Sequence, residues 1–298
     1  MKKEFTNPII SFGADPWIIE KDGFYYYCHT KDNGVAVRKF GWFSEAETAE
    51  SVTVYTAPEG TMYSAEYWAP ELHYLDGNWY IYVAADDGDN FNHRMYVLKG
   101  TTQNPLDPFE MIGKITDPTD KWAIDGTVMT YEGKNYYIWS GWEGDENVSQ
   151  NIYIAKMKTP CELEGERVLL SSPTEEWEKR GCTGGLPTIN EGPVALVESG
   201  LVAIIYSASG SWCDDYCLGQ LTFKGGDIMD KNNWVKESSP VLSKKEKAYG
   251  PGHCSFTKDS EGNLYLVYHA NVVSGTSWDG RSVHVTKCHV ENGLLVVD

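Results

Sequence analysis

Residues 123–141 read AIDGTVMTYEGKNYYIWSG. The pair Glu132-Gly133 stands between two runs rich in Val, Thr, Tyr and Ile. Short β-rich runs joined by an acidic residue and glycine are a hairpin signal. The same signature occurs four more times, as DGFYYYCHT (22–30), DGNWYIYVAA (76–85), ESGLVAIIYSAS (198–209) and EGNLYLVYHA (261–270). The turn glycines are Gly23, Gly77, Gly133, Gly200 and Gly262, spaced by 54, 56, 67 and 62 residues. Recurrence on this scale predicts a repeat architecture, and such unit lengths suit propeller blades of about four antiparallel strands. The expected fold is all-β, a five-bladed β-propeller filling residues 1–298 as one domain without an accessory domain. Little reads as helix; SSPTEEWEKRG (171–181) predicts one short helical turn.

A chain of 298 residues buries roughly 75% of its unfolded surface, so it needs no disulfide or metal to fold. Eleven Trp and 19 Tyr make it rich in aromatics, which pack well in strands and also stack on sugars. The net charge of −18 argues against nucleic acid and anionic membranes, both of which call for basic patches. No run approaches the ~18 apolar residues of a membrane span. The N-terminal MKKEFTNPIISFGADPW lacks the apolar core of a secretory signal. Seven scattered cysteines then read as free thiols, and the expected location is the cytoplasm. Cys213 and Cys217 lack partners at zinc spacing.

Upstream of each turn glycine lies a polar residue at nearly the same offset. Asp15 precedes Gly23 by eight and Asp125 precedes Gly133 by eight; Glu191 and His253 precede theirs by nine, and Glu71 by six. In a propeller the first strand of each blade lines the central axis, so these five positions are expected to converge at one mouth of the channel. Acidic residues often flank strands merely as turn formers; three at matching places beside Gly or Pro call for more. Two carboxylates across a sugar ring, one protonated and one ionised, are the minimal apparatus of glycoside hydrolysis. A third nearby holds the acid's pKa up by like-charge repulsion. No nucleotide-binding glycine loop, HExxH or GxSxG offers competing chemistry.

The set ADPW, YWAPELHYLDGNWYIYVAA, AIDG, NEGP and GPGH, in that order from about Asn7 to His269, resembles the family 43 glycoside hydrolases. The resemblance implies a five-bladed propeller that cleaves arabinofuranosides or xylosides with inversion. It implies Asp15 as the general base, Asp125 as the residue that orients and tunes the acid, and Glu191 as the general acid. His253 resembles an axial histidine that helps hold a calcium ion or its water shell; no cofactor is implied for the chemistry. Arg281, in WDGRSVHV, resembles an arginine that hydrogen-bonds sugar hydroxyls. The stretch SAEYWAPELHYLDGNWYIYVAADDGDN with HRMYVL is most similar to exo-acting α-L-arabinofuranosidases.

Four residues are expected to bind substrate: Trp68 by stacking, His93 from a loop, Trp142 at the rim, and Arg281. Glu71 is expected to contact substrate or to pair with Arg281 or Arg94. The loop SASGSWCDDYC (207–217), with Trp212, reads as a wall of the site or as a simple turn. The expected substrate is an arabinose- or xylose-containing oligosaccharide. A β-xylosidase, an endo-arabinanase, a retaining fructan-type propeller and a non-catalytic carbohydrate-binding propeller stay open as alternatives, although the RDP of the fructan enzymes is absent.

Overall fold

The computed structural model describes residues 4–298. Its strands fall into five antiparallel meanders of four. The first holds β1 (Trp17–Lys21), β2 (Phe24–Thr30), β3 (Gly34–Phe40) and β4 (Ser51–Thr56). The second holds β5 (Ala65–Leu75), β6 (Asn78–Asp86), β7 (Arg94–Gly100) and β8 (Phe109–Ile115). The third runs through β9 (Ala123–Tyr131), β10 (Lys134–Gly141), β11 (Ser149–Thr159) and β12 (Glu162–Ser171). The fourth comprises β13 (Thr188–Glu198), β14 (Leu201–Ala208), β15 (Cys217–Phe223) and β16 (Trp234–Lys236). The fifth comprises β17 (Tyr249–Lys258), β18 (Leu264–Asn271), β19 (Arg281–Glu291) and β20 (Leu294–Val297). These meanders form four sheets, because the third and fourth join through a short parallel pairing of Ser149 with Thr188 and Gln150 with Ile189.

Four of the five opening hairpins turn on two residues of positive φ: Asp22-Gly23, Asp76-Gly77, Glu132-Gly133 and Ser199-Gly200. Two successive left-handed residues give the turn whose twist matches the flanking strands. The predicted helical turn is present as a 3₁₀ segment, Glu176–Lys179, closed by a capping box between Glu175 and Glu178.

Each sheet buries both faces. Along β6, Trp79, Ile81, Val83 and Ala85 pack toward the first meander, while Tyr80, Tyr82 and Ala84 pack toward the third. This is the two-residue alternation of a strand. Five apolar clusters result, each shared by two successive meanders, and the fifth joins Tyr265, Val267, Val283 and Val285 of the last meander to Ile18, Tyr25 and Tyr27 of the first.

Candidate active site

The first strand of each meander is interrupted where it reaches the centre. A left-handed residue stands at each interruption: Asp15 (φ 46°) just ahead of β1, Ala69 (φ 44°) in β5, Asp125 (φ 54°) in β9, Gly192 (φ 52°) in β13 and His253 (φ 43°) in β17. In the last four, the pairing with the next strand slips there. Such bulges re-aim a side chain that regular pleating would send elsewhere. Counted back from the turn glycines, these residues lie at eight, eight, eight, eight and nine. The ring is therefore more regular than the ionisable side chains suggest. Glu191 precedes its bulge residue by one, and Glu71 follows its own by two.

Asp15, Asp125, Glu191, His253 and Arg281 all line one cavity of about 460 Å³, a size suited to a small ligand. The Asp15 carboxylate, at Oδ1, lies 3.2 Å from His253 Nδ1, 3.3 Å from His269 Nδ1 and 3.5 Å from Arg281. Burial opposes its ionisation, but His253 and Arg281 outweigh burial and hold the group well below the usual carboxylate range.

Asp125 is buried, and its Oδ2 accepts the Gly192 amide at 2.9 Å. Burial, then the charges of Glu191 and Asp15, push it well above its ordinary value. Glu191 is also buried, and Tyr216 donates its hydroxyl to Oε1 at 2.8 Å. Burial pushes Glu191 up to about 7, against the pull of Tyr216 and Arg281 and with added repulsion from Asp15. One carboxyl of the cavity is thus held ionised while burial pushes another up to about 7, the division of labour that acid–base chemistry requires.

Trp68 and Arg281 lie on the cavity wall as expected. Arg281 also donates to the Ser211 carbonyl at 3.1 Å, which ties it to the loop after β14. His93 and Trp142 do not reach the cavity. His93 is fully buried behind Trp68, its ring stacked 4.0 Å from the indole, with Nδ1 2.7 Å from Asp86 and Nε2 3.0 Å from the Glu66 carbonyl. Trp142 is buried behind Trp122, stacked at 4.7 Å. Trp122 is the ring that faces the cavity. Both corrections have one cause: aromatic side chains come in layers, and sequence does not say which layer faces the solvent. Glu71 pairs with His73 at 2.8 Å rather than with Arg281 or Arg94, and Arg94 pairs with Asp120. Trp212 and Trp278 complete the wall; Trp212 was legible as a rim candidate, and Trp278 was not.

Calcium takes six to eight oxygen ligands. Two of the groups that face His253 are carboxylates already engaged, Asp15 by Arg281 and Asp125 by a backbone amide. Among the described residues no group of three or more His, Cys, Asp or Glu could hold a metal ion. The residues present do not fit a directly coordinated calcium, and no step below uses one.

The model of the glycosyl hydrolases family 43 matches residues 5–295. The chain is 35% identical over 274 residues to an extracellular exo-α-(1→5)-L-arabinofuranosidase of Streptomyces avermitilis, a match covering 89% of this chain and 56% of that protein. It is also 35% identical over 278 residues to the enzyme of the same name from Streptomyces chartreusis, covering 89% of this chain and 82% of that one. The crystal structure of an α-L-arabinofuranosidase from Lactobacillus brevis superposes with a TM-score of 0.88 at 31% identity, over 97% of this chain and 94% of that one. The chain thus spans little more than half the length of the Streptomyces avermitilis relative. Both Streptomyces proteins are named extracellular, which overturns the expected cytoplasmic location. That expectation rested on unpaired cysteines and on the start of the sequence, and neither fixes a compartment.

Proposed function

The chain belongs to the family 43 glycosyl hydrolases, and from that premise we propose that it releases terminal α-L-arabinofuranose from arabinan or arabino-oligosaccharides with inversion. The observation that carries the reading is the placing of Asp15, Asp125 and Glu191 around one cavity, with Asp15 beside His253 and Arg281 and Glu191 buried under the Tyr216 hydroxyl. Ionised Asp15 takes a proton from a water whose oxygen bonds to the anomeric carbon. The bond from that carbon to the leaving oxygen breaks, and Glu191 delivers its proton to that oxygen. Solvent then takes the proton from Asp15 and returns one to Glu191. Asp125 acts on the acid through the Gly192 amide, next in sequence to Glu191. Trp68 offers a sugar face a stacking surface, and Arg281 offers hydroxyls a donor.

The five meanders, packed in cyclic order around this cavity, support a five-bladed propeller acting as one catalytic domain over residues 1–298. The names of the relatives support arabinose over xylose, and a secreted enzyme that meets its substrate outside the cell.

The test is hydrolysis of 4-nitrophenyl α-L-arabinofuranoside beside 4-nitrophenyl β-D-xyloside by wild type and Asp15→Asn. Arabinoside turnover is expected to dominate, and to fall about 100- to 10,000-fold in the variant, the contribution of a positioned acid–base group. Preference for the xyloside overturns the sugar; full activity of Asp15→Asn overturns the base. NMR of the first-formed anomer checks inversion, and a retained anomer rejects it.

A further inference from the structure

The two reacting carboxylates are held by neighbouring rings. Tyr216, just ahead of β15, donates its hydroxyl to Glu191 Oε1 at 2.8 Å. His269, on β18, accepts the Asp15 amide through Nδ1 at 3.1 Å. The rings are nearly parallel, 8° apart with centroids 5.7 Å from each other, and both are buried. We infer that Tyr216 and His269 act as one positioning unit, which fixes the Glu191 carboxyl and the Asp15 backbone relative to each other. The inference rests on the reading of Glu191 as acid and Asp15 as base.

Three features support it. Asp15 sits in the left-handed region at φ 46°, a conformation that Asp adopts more readily than most side chains but still at some cost. The hydrogen bond from its amide to His269 helps hold it there. Because Nδ1 accepts, the ring proton is on Nε2, which is buried and has no hydrogen-bond partner. The ring is therefore oriented only by the Asp15 amide and by its packing, the Tyr216 stack included. Burial and Arg281 push its basicity down to about 3, so it stays neutral and adds no second cation beside Arg281. The sequence also makes room for the stack. A Cβ on Gly252 would lie 2.1 Å from Tyr216 Cε1, so the glycine before His253 is a seat for the tyrosine ring.

Tyr216→Phe keeps the ring and removes only the hydroxyl. The titratable and charged groups that remain around Glu191 are Asp15, Asp125, Cys182, His253 and Arg281, and none is altered. Losing a donor to the ionised form raises the acid's pKa. The alkaline limb of the kcat/KM profile is thus expected to move to higher pH. Turnover of α-1,5-arabino-oligosaccharides, whose leaving group needs the acid, should fall about 10- to 100-fold, the worth of one hydrogen bond to a charged group. The 4-nitrophenyl arabinofuranoside, with its good leaving group, should lose much less. An unmoved limb with equal losses on both substrates would mean a structural role and overturn the inference; so would wild-type behaviour. His269→Leu should depress both substrates alike, because both need the attacking water, and His269→Asn, which offers an acceptor, should recover part of that loss. Wild-type activity in His269→Leu also overturns the inference. Glu191→Gln, measured in parallel, separates the two levels: if it cleaves oligosaccharides normally the acid assignment itself fails, and if it is inactive while Tyr216→Phe is normal only the positioning unit fails.

Discussion

Burial raises Glu191 from 4.5 to about 7, so both activity and stability fall as the pH rises, the one with loss of the acid form and the other with the cost of a buried charge. The acid works while protonated, so activity on natural substrates falls as pH rises through about 7. Between 4.5 and 7 the folded chain binds a proton there that the unfolded chain has lost, so raising the pH destabilises the fold. Glu191→Gln removes that penalty and keeps an acceptor for Tyr216. It is expected to unfold later than wild type at pH 8, by about 1–3 kcal/mol, and to lose the advantage near pH 4. Denaturant melts at the two pH values check this, and a variant less stable at pH 8 rejects it. On oligosaccharides the same variant should lose about 100- to 10,000-fold, while aryl arabinosides are partly spared. At this scale much of the site was legible. Asp15, Asp125, Glu191, His253 and Arg281 reach one cavity because each belongs to a motif at a strand mouth. Tyr216 and His269 were not legible: they act from outside the first strands, and only tertiary packing brings them to the carboxylates.

The bulge is the element that repeats. A regular strand would alternate its side chains across the sheet, and the slip at Asp125 or His253 turns one residue toward the axis instead. Gly192 is the bulge residue beside the proposed acid. An alanine there must adopt φ +52°, and its Cβ would lie 3.1 Å from His253 Cγ and Nδ1 and 3.3 Å from Ser207 Oγ. Left-handed backbone costs a non-glycine residue about 1–2 kcal/mol, and crowding His253 adds to it. Gly192→Ala is expected to destabilise the protein by about 1–3 kcal/mol and to cut kcat/KM, because the Gly192 amide is the donor to Asp125. Thermal melts and kinetics together check it; a variant with wild-type stability and activity rejects the strain. The hairpins were readable from turn chemistry alone, since an acidic residue or serine before glycine supplies both left-handed positions. The bulges lay one step deeper. Their constant offset from the turn glycine was in the sequence, but the ionisable residues drew the alignment to Glu191 and Glu71, one before and two after the true positions. The merging of the third and fourth sheets had no local signal, since it rests on two residues paired in parallel.

A ring of sheets has a seam, and here the seam is local to the N-terminus. Ile9 donates to the Val283 carbonyl at 2.8 Å, and Val283 donates back to Ile10 at 2.9 Å. Asn7 clasps the same strand two residues on: its side-chain amide donates to the Val285 carbonyl at 2.7 Å and its carbonyl accepts the Val285 amide at 2.8 Å. The residues before β1 therefore zip onto β19, and the apolar cluster of Ile9, Ile10, Tyr27 and Val283 closes over the joint. The same joint feeds the site, since Asp15 follows this segment and Arg281 opens β19. Every other meander is tied to its successor by continuous chain, so loosening the seam frees two neighbours that only packing and these bonds hold together. Asn7→Ala leaves both backbone groups of Val285 without their partner. Two partly buried bonds lost in this way should cost about 1–3 kcal/mol, large for a residue far from the cavity. Hydrogen exchange should show the loss first in β19 and β1, as local opening at the joint rather than global unfolding. Uniform exchange across all five meanders, or an unchanged denaturation midpoint, would mean that the apolar cluster holds the ring closed without the clasp.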